Sequence, residues 1–135
     1  MSLMRGKGFQ FRKSERIVSQ KTIDELFSGD HSHSQVVYPV RAVFMSRPRQ
    51  PGDEPVQLLL SVPKRRFRHA VDRNRVKRQL REAYRHHRQL LADAVADDQS
   101  MALAFIWLSS EHVATDNVDH RVSQLLSRIA QRLSL

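Results

Sequence analysis

The chain has no cysteine among its 135 residues. Disulfides and thiolate metal sites are thereby excluded, which fits a reducing compartment. Aromatics are scarce, at 7% with a single Trp, but hydrophobic residues reach 40%, a globular rather than disordered composition at single-domain length. The longest apolar run, Met101 to Leu108, is far shorter than the ~20 residues that cross a bilayer. Met1-Ser2-Leu3-Met4-Arg5 has no apolar core of a secretory signal, so the expected location is the cytoplasm. No Walker loop, G-x-S-x-G or cysteine nucleophile occurs, which removes the common nucleotide-hydrolysing and acyl-transfer signatures.

Acids are missing where bases are dense. Ser61 through Arg88 hold 11 of the 23 Lys and Arg but only two of the 14 acids, Asp72 and Glu82. This window nets +9, the formal charge of the whole protein, because the 12 bases and 12 acids elsewhere cancel. With no carboxylate cluster there to hold catalytic Mg²⁺, the chain shows no active site of its own. It shows a surface for a polyanion, since each Lys or Arg that neutralises a phosphate also releases condensed counterions.

Residues 1–18 are basic and weakly periodic, an extended arm in this reading. Ser19 caps a short helix over Gln20 to Phe27, which Gly29 ends. Asp30 to Gln35 reads as a loop and Val36 to Met45 as one strand, with Pro39 marking an edge or bulge. Ser46 to Pro55 reads as a hairpin connection to a returning strand, Val56 to Val62. A long helix follows from about Ala70 to about Val95, then a buried strand at Met101 to Leu108. The last helix, capped by Thr115 or Asp116, carries the stripe Val122, Leu125, Leu126, Ile129 and Leu133. The expected fold is a single α+β domain, a small α/β sandwich of order α-β-β-α-β-α, with a sheet of three to four strands packed by helices.

On the long helix, stepping ~100° per residue puts Val76, Leu80 and Ala83 in one arc with Tyr84 at its margin. Asn74, Lys77, Arg78, Arg81, Arg85 and Arg88 fall in another. A solvated helix face normally mixes Lys with Glu at i,i+4, whereas here Glu82 alone stands among seven bases from Arg73 to Arg88. Arginine predominates, which suits bidentate and stacked contacts to structured RNA, and Asn74 adds an amide for sugars and base edges. In the preceding turn, Lys64 to His69, Phe67 reads equally as a base-stacking ring or a core anchor. Histidines at 31/33 and 86/87 lack the further ligands of a structural metal site, so no protein-bound metal is expected.

The string Ser61-Val62-Pro63-Lys64-Arg65, with Ala70-Val71-Asp72-Arg73-Asn74-Arg75-Val76-Lys77-Arg78-Gln79-Leu80-Arg81-Glu82-Ala83-Tyr84-Arg85, resembles the signature of the bacterial ribonuclease P protein family. The basic arm, the short helix, the strand order and the length agree. The resemblance implies a ribonucleoprotein that removes the 5′ leader from precursor tRNA, with catalysis and most Mg²⁺ binding carried by the RNA subunit. It also implies a left-handed βαβ crossover, against the usual right-handed rule. Carried over by position, Lys64, Arg65, Arg73, Asn74, Arg75, Lys77, Arg78, Arg81 and Arg85 would contact the catalytic RNA. Ile23, Phe27, Tyr38 and Arg41 would line the cleft that holds the leader. Two departures stand out: Phe67-Arg68 where many relatives have a glycine, and Ser109-Ser110-Glu111 where many carry a base.

The alternative is a non-enzymatic RNA-binding module such as a ribosome-associated protein, from which the R-N-R-V-K-R-x-L-R-E string separates this chain. A helix-turn-helix DNA binder is disfavoured because no preceding helix with a tight turn packs on the basic helix. A membrane-surface helix is disfavoured by its small apolar face.

Overall fold

A computed structural model describes residues 11–133. Elements run α1 (Gln20–Ser28), β1 (His33–Val37), β2 (Val40–Pro48), β3 (Val56–Ser61), α2 (Ala70–His87), α3 (Gln89–Ala92), β4 (Gln99–Trp107) and α4 (Thr115–Leu133). The four strands form one sheet in the order β1-β2-β4-β3. β4 pairs antiparallel with β2 and parallel with β3, so α2 and α3 form the crossover of a βαβ unit.

Three expectations are corrected. The single strand from Val36 is two: β1 begins at His33 inside the expected loop, and a cis Tyr38-Pro39 turn folds it back onto β2. The hairpin between β2 and β3 does not exist, because β4 lies between them and takes the hydrogen bonds of both. The long helix stops at His87, and the short α3 follows. The arm also departs from a plain extended segment over its described part. Lys13–Glu15 make a 3-10 turn, and Ile17 N–H then donates to Leu58 O at 3.1 Å, docking the arm on the free edge of β3. Arg5 and Lys7 of the arm lie outside the described residues.

The signals of the first helix hold. Ser19 Oγ accepts from Thr22 N–H, and Gly29 at φ 85° supplies the left-handed residue that ends α1. The cap expected at Thr115 or Asp116 is displaced by one residue or more: both lie inside α4, whose first-turn bond runs from Val118 N–H to Ala114 O at 3.0 Å. Val118, Val122, Leu125, Leu126 and Ile129 of α4 are fully buried. At about 1.5–3 kcal/mol per buried aliphatic side chain, such burial rather than propensity holds the helix on the sheet.

Alternation in the strands separates two cores. Ala42, Phe44, Leu58, Leu103, Phe105 and Trp107 face α2 and α4, meeting Val76, Leu80, Ala83 and Tyr84. Tyr84 is 1% exposed rather than marginal, and it stands edge-on to both Phe11 and Phe105. Burial raises its phenol pKa far above the usual value. On the opposite face Val43, Met45, Ala102 and Ala104 pack beneath Leu26 and Ile17. Among the described residues α1 and Ile17 of the arm cover that face, and Val36 and Arg41 on it stay exposed.

Candidate nucleic-acid interface

The basic helix α2 carries two kinds of cation. Arg73 and Arg85, and Arg88 just past the helix end, are engaged within the protein. Arg73 Nη1 donates to the carbonyls of Phe67 and Arg68, both at 2.9 Å, and so pins the basic turn to the helix it precedes. Arg85 pairs with Glu82 at 2.7 Å, and that hydrogen bond holds the Glu82 carboxyl below its ordinary range despite some burial. Arg88 turns inward to Glu15. By contrast Lys64, Arg65, Asn74, Arg75, Lys77, Arg78 and Arg81 show no side-chain hydrogen bond or ion pair among the described residues, and all but the half-buried Lys77 and Arg81 are exposed.

These free groups spread over the crest and both flanks of α2. Asn74 sits at the crest. On one flank Lys77 and Arg81, with Arg16, line a recess of about 150 Å³ floored by Leu58, Leu59 and Leu60. On the other, Arg75 and Arg78 line a crevice against Thr115 of α4. A uniformly like-charged helix with so few compensating acids is stable only where its charge is solvated or neutralised by an anion.

The turn before α2 follows from the same contacts. Phe67 is buried and stacks on His112 at 4.6 Å with the planes 17° apart, which makes it a core anchor and leaves no open face for a base. His112 in turn reaches Asp72 at 3.0 Å. The Phe67-Arg68 departure is thereby accommodated. The Ser109 departure closes on itself, with Ser109 Oγ accepting from Glu111 N–H at 3.0 Å.

The open face of the sheet forms the second candidate surface. Directly opposed residues share a face, so Val36, Arg41, Ile106 and Ser61 make one row across all four strands. Ser34, Val43, Ala104 and Leu59 make the next. Val36 is 44% exposed, and Arg41 donates through Nε to Ser34 Oγ at 2.9 Å with its guanidinium toward solvent. Ile23 packs on this same face, and Phe27, 46% exposed, projects from α1 beside it. Tyr38, 62% exposed, lies in the turn that joins β1 to β2, outside the strand ladder where the sequence placed it. Arg47 ties the far end of this surface, donating to Thr22 Oγ1 and Gln57 Oε1 at 2.7 Å each. Both bonds border a cavity of about 440 Å³ lined also by Ile17, Val18 and Ser19.

Sequence reasoning did not single out Val36, Ile106, Arg47 or Gln79. Val36 and Ile106 became visible only with strand register, because neither a cation nor a motif marks them. His86 and His87, expected to diverge, do so: their ring planes stand 86° apart. Both nonetheless reach one carboxylate of α4, His86 to Asp119 Oδ1 at 3.2 Å and His87 to Oδ2 at 2.8 Å. Among the described residues no group of three or more His, Asp or Glu is arranged to hold a metal ion, and no helix is long and apolar enough to cross a membrane.

A small α+β domain with a basic, largely unpaired helix on one side and a half-open sheet on the other belongs to a recognisable class. The fold is that of the ribonuclease P proteins of Staphylococcus aureus, with TM-score 0.66 at 19% identity over 88% of this chain and 97% of that one, and of Thermotoga maritima, with TM-score 0.65 at 21% identity over 84% and 96%. The family model for ribonuclease P matches residues 11–130. The ribonuclease P protein component of Porphyromonas gingivalis is 39% identical over 126 residues, covering 90% of this chain and 88% of the relative. The chain belongs to the ribonuclease P protein family.

Proposed function

We propose that this chain is the protein subunit of ribonuclease P, which binds the catalytic RNA through α2 and the preceding turn and holds the 5′ leader of precursor tRNA on the open sheet face. The observation that carries this is the division of labour on α2. Arg73 and Arg85, with Arg88 just past its end, are spent on architecture, while Asn74, Arg75, Lys77, Arg78 and Arg81, with Lys64 and Arg65, stay available to phosphates and sugars. Ile23, Phe27, Tyr38 and Arg41 offer apolar and aromatic surface beside a cation, which is what a single strand requires. No nucleophile, acid–base pair or metal cluster on the described chain is assigned to the chemistry. Mg²⁺ and bond cleavage fall to the RNA subunit, and the protein positions RNA in the cytoplasm.

The test is reconstitution with cognate ribonuclease P RNA at near-physiological Mg²⁺, following leader removal from a precursor tRNA. Stimulation over RNA alone is expected. Its absence would leave only a general RNA-binding role.

A further inference from the structure

Between the end of β3 at Ser61 and the start of α2 at Ala70 the chain passes four cations, Lys64, Arg65, Arg66 and Arg68, with no acid among them. Like charges this close repel one another. The segment has no glycine and a single proline, Pro63, and one backbone bond, Arg66 N–H to Pro63 O at 2.9 Å, closes its first half. What ties its second half to the rest of the protein converges on Phe67.

Phe67 is 8% exposed and is gripped from two directions. Arg73, in the first turn of α2, donates to its carbonyl and to that of Arg68. The ring itself lies flat on His112, with centroids 4.6 Å and planes 17° apart. His112 comes from the segment between β4 and α4, whose approach is braced by Ser109: its Oγ accepts from Glu111 N–H at 3.0 Å and donates to Glu111 O at 3.2 Å. Asp72 orients the imidazole, 3.0 Å from Nε2, while Nδ1 is buried without a hydrogen-bond partner. Adjacent residues of α2 thus hold the two halves of one stack, Asp72 the imidazole and Arg73 the backbone that carries the phenyl ring. The circuit of contacts closes on itself.

We propose that His112 is a positioning residue for RNA binding: through its stack on Phe67 it holds Lys64 and Arg65 in the arrangement that meets the RNA subunit, without touching RNA itself. The physical reason is preorganisation. A turn of like charges released from its anchor samples many arrangements, and a partner that must order it binds more weakly. This inference rests on the RNA-binding role proposed above, and it adds a residue that lies on neither the basic helix nor the basic turn.

The experiment is a set of mutant cycles on the full-length protein, read as affinity for cognate ribonuclease P RNA at a temperature where circular dichroism shows every variant folded. His112→Ala is expected to lose about two- to tenfold in affinity, the factor that one aromatic pair is worth. That loss should shrink when Lys64→Ala and Arg65→Ala have already removed the charges being positioned. It should persist in full beside Arg81→Ala, which lies about 12 Å further along α2 than Arg73. His112→Phe keeps a ring on Phe67 and should recover most of the affinity. A purely structural role would lower the melting temperature and leave affinity unchanged. Wild-type affinity in His112→Ala, a loss that adds equally to all the cation variants, or no recovery in His112→Phe would each overturn the positioning role while leaving RNA binding intact. Failure of the wild type to bind the RNA would overturn the proposed function instead. Should His112→Ala not fold, His112→Gln, which keeps a donor for Asp72 but has no ring, takes its place with the same expected loss.

Discussion

Arg88 Nη1 lies 2.6 Å from Glu15 Oε1, joining the arm to the end of the basic helix across 73 residues of chain. Both side chains are largely buried, 11% and 3% exposed. Arg12 adds a second contact to the same carboxylate at 3.3 Å and bridges onward to Glu54. Glu15 therefore sets the path by which the arm crosses the edge of β3.

Removing one partner of such a pair strands the other without water. Arg88→Ala is expected to lower stability by about 2–4 kcal/mol, short of the full penalty for an isolated buried charge because Arg12 remains. Urea unfolding measures this. A loss under about 0.5 kcal/mol would show that Glu15 finds solvent once Arg88 is gone.

The free and engaged cations of α2 are expected to differ in RNA binding. Lys77→Ala and Arg81→Ala should each weaken affinity for ribonuclease P RNA and reduce the salt slope by about 0.7–0.9. Arg85→Ala, already paired with Glu82, should change the slope by much less. Equal slopes in all three variants would dissolve the distinction.

On the sheet face, Phe27→Ala and Arg41→Ala should weaken binding of precursor tRNA by about fivefold or more, in line with the loss of one base-stacking or backbone contact. Mature tRNA, which has no leader, should bind both variants as it binds wild type. A parallel loss for mature tRNA would place these residues elsewhere than on the leader.

Asp119 gives a pH dependence of stated sign. Burial raises its carboxyl pKa, but hydrogen bonds from His87 and His86 outweigh that and leave it below the ordinary value. A depressed carboxylate pKa contributes stability that is present above the unfolded value, near 4, and is lost as pH falls through the folded one. Asp119→Asn is thus expected to be less stable than wild type by about 0.5–1 kcal/mol near pH 6, the range for partly exposed pairs. Thermal melts should show the difference closing below pH 4. A gap that persists into acid would mean that the histidines do not act through this carboxylate.

Much of the helical structure was legible because 3.6-residue periodicity, Ser19 and Gly29 are local signals. Strand partnership was not. Val56 follows β2 closely in sequence, so a hairpin was the natural reading, yet the edges the two strands would have shared are both paired with β4, Gln99–Trp107. The Tyr38-Pro39 fold-back was hidden because apolar residues continue on both sides of it. For the interface, the identity of the basic residues was visible in the R-N-R string, but not which of them are occupied. Arg73 serves two carbonyls of the preceding turn, and Arg88 serves a carboxylate far away in sequence. Periodicity places a side chain on a face without saying what waits there.

The position of β4 in the middle of the sheet has a consequence for how the molecule comes into being. A chain growing from its N-terminus completes the whole of α2 before the strand that joins β2 to β3 exists. Until Leu103, Phe105 and Trp107 emerge, Val76 and Leu80 have no central floor to rest on. A nascent fragment that ends between Arg88 and Gln99 carries at least the whole +9 excess but lacks the central strand, so a premature stop there releases a polycation rather than a smaller working subunit.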